Sequence, residues 1–273
     1  MRPRPSAREA LVLGVVQGPT ELLPVSSSAH IALLVGRSDG STPAARPGDT
    51  DAARDAELRN SLEVALHAGT ALALLLVGRG ELVRVARGLN GARLAAGTLA
   101  LAPPALVGYL LERAPARRPS APRSIAAGLA LGGAAMALAD RRPQTRTLAQ
   151  AGPRDALALG VAQAAALLPG VSRNGATLTV SRARRFARED AQALSWCAGL
   201  PVIVGAAALK AARLAQRGAP PGAGRTLTAA AAAAFLSTLA SAPLIRPGRR
   251  GRKLLPFALY RLGLAAFVVL AQE

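Results

Sequence analysis

Six apolar runs follow one another along this chain, and together they decide the solvent in which it folds. ALHAGTALALLLVG (65–78), LAAGTLALAPPALVGYLL (94–111), SIAAGLALGGAAMALA (124–139), ALSWCAGLPVIVGAAAL (193–209), TAAAAAAFLSTLASAPLI (228–245) and LLPFALYRLGLAAFVVLA (254–271) each approach the ~20 residues that cross a hydrocarbon core. Some are a little short, which tilt or local bilayer thinning accommodates. One alanine-rich run alone also suits a buried helix of a soluble protein; six in series indicate a membrane. The sequence therefore predicts an all-α integral membrane protein, a multi-pass helical bundle.

The formal net charge of +19 would suit a nucleic-acid partner, but its distribution argues against one. Arginines cluster between the apolar runs, in 79–87, 112–123, 141–146, 182–188 and 246–253. That is the pattern of positively charged cytoplasmic loops beside anionic headgroups. Aromatic residues make up 3% of the chain, too few for base-stacking platforms. The basic, then apolar, opening MRPRPSAREALVLGVVQG has no small-residue cleavage site and is expected to remain part of the fold. Cys197 stands alone, which rules out an internal disulfide framework and favours a packed thiol.

Comparing the chain with itself reveals two related stretches. GVVQGPTELLPVSSSA (14–29) and GVAQAAALLPGVSRNGA (160–176) share a Gly-Val-x-Gln opening, a Leu-Leu-Pro centre and a serine-bearing turn. Both are polar, Pro/Gly-interrupted segments at corresponding places in halves of about 1–140 and 141–273. Such interruptions mark discontinuous or re-entrant helices, often in inverted repeats, whose irregular backbone must line a cavity or be shielded by protein. The polar stretch 38–60 reads as an extramembrane loop, and its aspartates lack the spacing of a calcium loop.

The first stretch offers an acid, hydroxyls and an imidazole. Pro24 should end a helix running from Leu11, and Ser26 or Ser27 should cap the next. His30 then lies three residues from Ser27 and four from Ser26, on one helical face. Glu21, costly in a membrane unless paired, protonated or metal-bound, is a functional candidate, with Gln17 one turn before it. The second stretch adds Arg173, whose planar fork suits phosphate, together with Ser172, Asn174 and Thr177 as neutral donors. These groups would suffice for phosphoryl transfer with a divalent ion between Glu21 and phosphate. Serines in membrane helices also bond back to the backbone or pack between helices, and His30 alone would suit packing. Glu63 and His67, an i,i+4 pair, are expected to satisfy each other.

At these residues the chain resembles the undecaprenyl-diphosphatase family, bacterial integral-membrane phosphatases that recycle the cell-wall lipid carrier. The resemblance rests on LGVVQGPTELLPVSSSAH (13–30) and LLPGVSRNGAT (167–177), supported by LEVALHAGTALALLL (62–76), WCAGLPVIVGA (196–206) and LLPFALYRLGL (254–264). It implies two re-entrant helices in an inverted repeat. The implied reaction is hydrolysis of undecaprenyl diphosphate to undecaprenyl phosphate and inorganic phosphate, which serves peptidoglycan synthesis and confers bacitracin tolerance. It also implies a divalent cation, Mg2+ or Ca2+, and a place in the bacterial cytoplasmic (inner) membrane with the site facing outward.

By position in the motifs, Glu21 would be the essential acid and metal contact, Ser27 the nucleophile, His30 its acid/base partner and Arg173 the phosphate clamp. Gln17, Ser26, Ser172, Asn174 and Thr177 match supporting, substrate-binding positions. Three residues depart from the family pattern: Gln17 replaces a frequent second glutamate, Ala29 a glycine, and Asn174 a serine. Whether Ser27 attacks phosphorus or His30 activates water stays open at this level, as does assembly, for which a homodimer is the candidate. A polyprenyl-phosphate transporter or flippase is the alternative reading of the same pocket. The acid-phosphatase-like lipid phosphatases need a second histidine with an acidic partner, and beyond His30 the chain has only His67, with no SRxxxxxHxxxD pattern.

Overall fold

The computed structural model describes residues 6–36, 50–113, 121–245 and 251–272. Among them the chain is helical: α1 (Ala7–Leu22), α2 (Ser27–Gly36), α3 (Thr50–Arg87), α4 (Gly91–Arg113), α5 (Pro122–Asp140), α6 (Pro153–Ala165), α7 (Arg173–Ala183), α8 (Arg188–Arg217), α9 (Gly224–Ser241) and α10 (Leu255–Leu270). Five segments, Ala56–Arg87, Gly91–Arg113, Pro122–Asp140, Arg188–Arg217 and Gly224–Leu244, are long and apolar enough to cross a membrane. The sixth apolar run forms α10, whose 16 residues reach about 24 Å. The protein is an all-α, multi-pass membrane protein.

The stretch 38–60 differs from the loop expected of it. Residues 38–49 lie outside the described residues, but from Thr50 onward the chain is already helical, as the opening turns of α3. DAARDAELRN contains no proline or glycine, and its alanine, arginine, glutamate and leucine are strong helix formers, so a polar composition here accompanies a helix.

The chain divides into two compact units that interleave along its length. The first comprises Met1–Pro19, His30–Gly80 and Ile203–Pro243. Here α1 lies against α9 at very close range, because Gly14 and Gly18, one turn apart, face Ala230, Ala233, Ala234 and Ser237. A Cβ on either glycine would overlap α9 backbone. Lipid tails are as apolar as leucine, so helices in a bilayer associate through such close backbone packing rather than hydrophobic exclusion. Ser237 adds a hydrogen bond to the Val15 carbonyl (2.6 Å), and the buried hydroxyl of Thr238 donates to Thr70 (3.3 Å). Leu13, Leu58, Leu62, Leu66 and Leu227 fill the core between α1, α3 and α9.

The second unit comprises Thr20–Ala29, Glu81–Val202 and Leu244–Glu273. Its core joins α5, α7 and α10 through Met136, Leu178, Phe186, Leu254 and Ala258. Helix α4 contains Pro103 and Pro104, which lack the amides that would bond to the carbonyls of Leu99 and Ala100. α6 compensates. Gly160 lets the Leu99 carbonyl approach its backbone, and Gln163 Nε2 donates to the Ala100 carbonyl (3.1 Å). The buried glutamine thus stands in for an amide that proline cannot supply, as a low-dielectric surrounding demands.

Two buried aspartates organise the arginine-rich ends of α5 and α7. Asp140 accepts from Arg188 (2.8 and 3.1 Å), Arg182 (3.4 Å) and the Leu254 amide (2.9 Å). Asp155 accepts from Arg146 (2.8 and 2.9 Å), the Gly152 amide (2.9 Å) and Arg184. Burial alone would raise the Asp155 carboxyl, but the hydrogen bonds from Arg146, Gly152 and Arg184 and the Arg184 charge prevail and hold it at about 2. The clusters 141–146 and 182–188 are therefore not simply solvated loop charge: Arg182 is fully buried and bonds the Phe186 and Arg142 carbonyls.

Candidate active site

The two related stretches fold alike. α1 stops at Leu22, just before the buried Pro24, and α2 starts at Ser27; α6 stops at Ala165, before Pro169, and α7 starts at Arg173. In each, the residue preceding the second helix is a serine in the left-handed region, Ser26 at φ 74° and Ser172 at φ 62°. Such a conformation costs a non-glycine residue roughly 1–3 kcal/mol. Each serine recovers part of that cost as a helix cap, Ser26 Oγ accepting from the Ala29 amide (3.4 Å) and Ser172 Oγ from the Gly175 amide (3.2 Å). The same number of residues separates Gln17 from Ser26 and Gln163 from Ser172. The second copy has one residue fewer before its proline and one more after it, Gly170, at φ 84°. Ser27 and Arg173 thus occupy the same place, the first residue of the helix after the break.

Within the second unit these two residues meet on one carboxylate. Ser27 Oγ donates to Glu21 Oε2 (2.6 Å), and Arg173 Nη2 donates to Glu21 Oε1 (3.2 Å). The side chains of Arg173 and Glu21 are 19% and 10% exposed, so the group is sheltered but accessible. Ser28 points to an exposed position, with Ser26 Oγ 3.3 Å from its hydroxyl.

A buried relay behind this trio joins the two stretches. Asn174 Nδ2 donates to the Leu22 carbonyl (2.7 Å), the last residue of α1 and the neighbour of Glu21. That fixes the amide's orientation and turns Oδ1 toward Ser195, whose hydroxyl donates to it (2.8 Å). Ser195 Oγ also lies 2.6 Å from Thr177 Oγ1, a contact across which either hydroxyl can donate. Thr177 Oγ1 also lies 3.0 Å from the Arg173 carbonyl. A serine at 174 has neither the reach nor the two-ended amide, so Asn174 has a physical reason to be there.

Of the residues that sequence reasoning selected, Glu21, Ser27 and Arg173 come together. Ser26 and Ser172 cap helices, and Asn174 and Thr177 support the trio from behind. Gln17 is buried one turn before Glu21 on α1, and His30 is half-buried one turn beyond Ser27 on α2; both belong to the first unit. Glu63 and His67 are hydrogen-bonded through the backbone, the His67 ring donating from Nδ1 to the Glu63 carbonyl (2.8 Å), while the Glu63 carboxylate also binds Lys210 (2.9 Å). Sequence reasoning missed Ser195 and Arg261, although a lone polar residue in an apolar run is a signal in itself.

No group of three His, Cys, Asp or Glu able to hold a metal occurs among the described residues. Glu21 brings a single carboxylate, with both oxygens already accepting hydrogen bonds. That donor set does not cage an ion, but it does fit one shared with the phosphates of a substrate, since Mg2+ binds readily through one carboxylate, phosphate oxygens and water.

Known proteins carry the same arrangement of sequence. The chain is 34% identical over 277 residues to a protein of Geobacter metallireducens named undecaprenyl-diphosphatase, covering 96% of each chain. Proteins of the same name from Pelobacter propionicus and Thermomicrobium roseum are also 34% identical, covering 93% and 96% of this chain and 92% and 96% of their own. The model of the bacitracin resistance protein BacA matches residues 10–267, which takes in both broken stretches and the helices that hold them, and this chain belongs to that family.

Proposed function

We propose that this protein hydrolyses undecaprenyl diphosphate to undecaprenyl phosphate and inorganic phosphate, recycling the cell-wall lipid carrier and conferring tolerance to bacitracin. The observation that carries this reading is the convergence of Ser27 and Arg173 on Glu21: a hydroxyl with a base at 2.6 Å, beside a guanidinium able to grip phosphate. The name its relatives carry accords with it, and none of the relatives named above is named for transport.

Ser27 Oγ attacks the terminal phosphorus as its proton passes to Glu21. The bond from that phosphorus to the bridging oxygen breaks, and undecaprenyl phosphate leaves. Arg173 holds the equatorial oxygens, where negative charge is spread in the transition state. Water then attacks the phosphoserine and gives a proton to His30, while Ser27 recovers its own from Glu21. Glu21 would also hold a divalent cation, Mg2+ or Ca2+, that neutralises charge on the diphosphate.

We place the protein in the cytoplasmic membrane with this site toward the outer side. α7 supports that orientation: it runs from Arg173 to Ala183, about 16 Å, and ends among the arginines, which favour the cytoplasmic face. The test is phosphate release from undecaprenyl diphosphate by detergent-purified protein, with and without divalent cation, beside Ser27→Ala. Release that needs the ion and vanishes in the variant supports the reading; a folded wild type that releases none refutes it.

A further inference from the structure

Arg261 is the charged residue that the apolar run of α10 has no evident reason to contain. It is fully buried and, among the described residues, forms no ion pair with a carboxylate. Its partners are backbone. Nη2 donates to the carbonyls of Gly128 (3.2 Å), Gly170 (3.0 Å) and Val171 (2.9 Å), and Nη1 lies 3.5 Å from the Pro24 carbonyl. Pro24 belongs to the first broken stretch; Gly170 and Val171 belong to the second. Glycines make the room, since a Cβ on Gly132 of α5 or Gly175 of α7 would overlap the guanidinium.

We infer that Arg261 is a positioning residue for the proposed hydrolysis: it clamps the turns that begin α2 and α7 and so sets Ser27 and Arg173 at their mutual distance from Glu21. This role rests on the function proposed above. Two physical arguments support it. Breaking a helix leaves carbonyls without amide partners, and in a dry surrounding each must find a donor. One planar guanidinium serves both turns at once, which a lysine ammonium on a flexible stem cannot match. Those carbonyl oxygens also present negative ends near a place meant for a diphosphate. A cation without a carboxylate partner offsets them without cancelling its own charge. Packing alone would not need it, since a methionine of similar length fills space without the cost of burying charge.

The experiment compares wild type, Arg261→Met and Arg261→Lys in the phosphate-release assay, well below the apparent Tm of each purified protein. R261M is expected to lower kcat about 10²-fold with KM within about threefold, because a misplaced reacting group costs turnover more than it costs prenyl-chain binding. R261K, which keeps the charge but not the span, is expected to lose about tenfold; if R261M is not monodisperse, R261K carries the comparison. In an Arg173→Ala background, R261M is expected to cost about tenfold, less than in the wild type, since one of the two groups it positions is gone while Ser27 remains. A folded variant with kcat within threefold of wild type, or losses that multiply in the double variant, overturns the role. If the wild type itself releases no phosphate, the proposed function fails and this role with it; an active wild type beside an equally active R261M overturns this role alone.

Discussion

The relay from Thr177 through Ser195 and Asn174 to the Leu22 carbonyl can be tested as a unit. Replacing Asn174 with leucine, nearly the same size, leaves the Leu22 carbonyl without its 2.7 Å donor and Ser195 without its 2.8 Å acceptor. A buried polar group left unpaired costs about 1–3 kcal/mol, so the variant should lose about 2–4 kcal/mol of stability. Ser195→Ala should cost about 1–3 kcal/mol by stranding Asn174 Oδ1 and taking a partner from Thr177. In the double variant, the Asn174–Ser195 mismatch disappears from both sides, and the combined loss should fall short of the sum by about 1–2 kcal/mol. The assay is denaturant unfolding of the purified protein in one detergent, all four proteins at one pH. Turnover should fall along with stability in Asn174→Leu, because the carbonyl it releases is adjacent to Glu21. Additivity within about 0.5 kcal/mol would refute the relay.

Arg173→Ala should lower kcat by about 10²-fold, since one preorganised electrostatic contact in a transition state is worth ~3 kcal/mol; near-normal turnover would remove its assigned role. Asp155, held at about 2 in the folded protein, binds protons less readily there than when unfolded. Its ion pairs therefore contribute stability that is full above about pH 4 and is lost as pH falls toward 2, on the order of 2 kcal/mol in all. Asp155→Asn should flatten that part of the acid-unfolding curve, and an unchanged curve would count against the pairing.

The helices were legible because a membrane makes composition decisive: each of the six apolar runs lies in a helix. The breaks were legible from Pro24 and Pro169, and Glu21, Ser27 and Arg173 from the chemistry of the stretches around them. Arg261 and Ser195 were harder because of the nature of their partners. Arg261 binds backbone carbonyls, which every residue has, so its function leaves no complementary letter in the sequence. Asp140 and Asp155 carry little local signal in the sequence, because Arg182, Arg184 and Arg188, which bind them, come much later in the chain. The close contact of α1 with α9 rests on Gly14 and Gly18, whose spacing is informative only once a partner helix is known. The polarity of residues 50–60 concealed a helix because exposed and irregular segments share a composition.

The likeness of the two broken stretches makes their differences consequential. At the shared first position of the second helix, one copy has a hydroxyl and the other a guanidinium, and the carboxylate of Glu21 has alanine, Ala166, as its counterpart next to the Leu-Leu-Pro centre. A pocket with matching ends would accept a diphosphate either way round, and half of its encounters would present the wrong phosphorus to the nucleophile. Unlike ends give the pocket a direction. In the proposed hydrolysis the terminal phosphorus would lie on the serine side, and the bond that breaks would be selected by orientation before any chemistry begins.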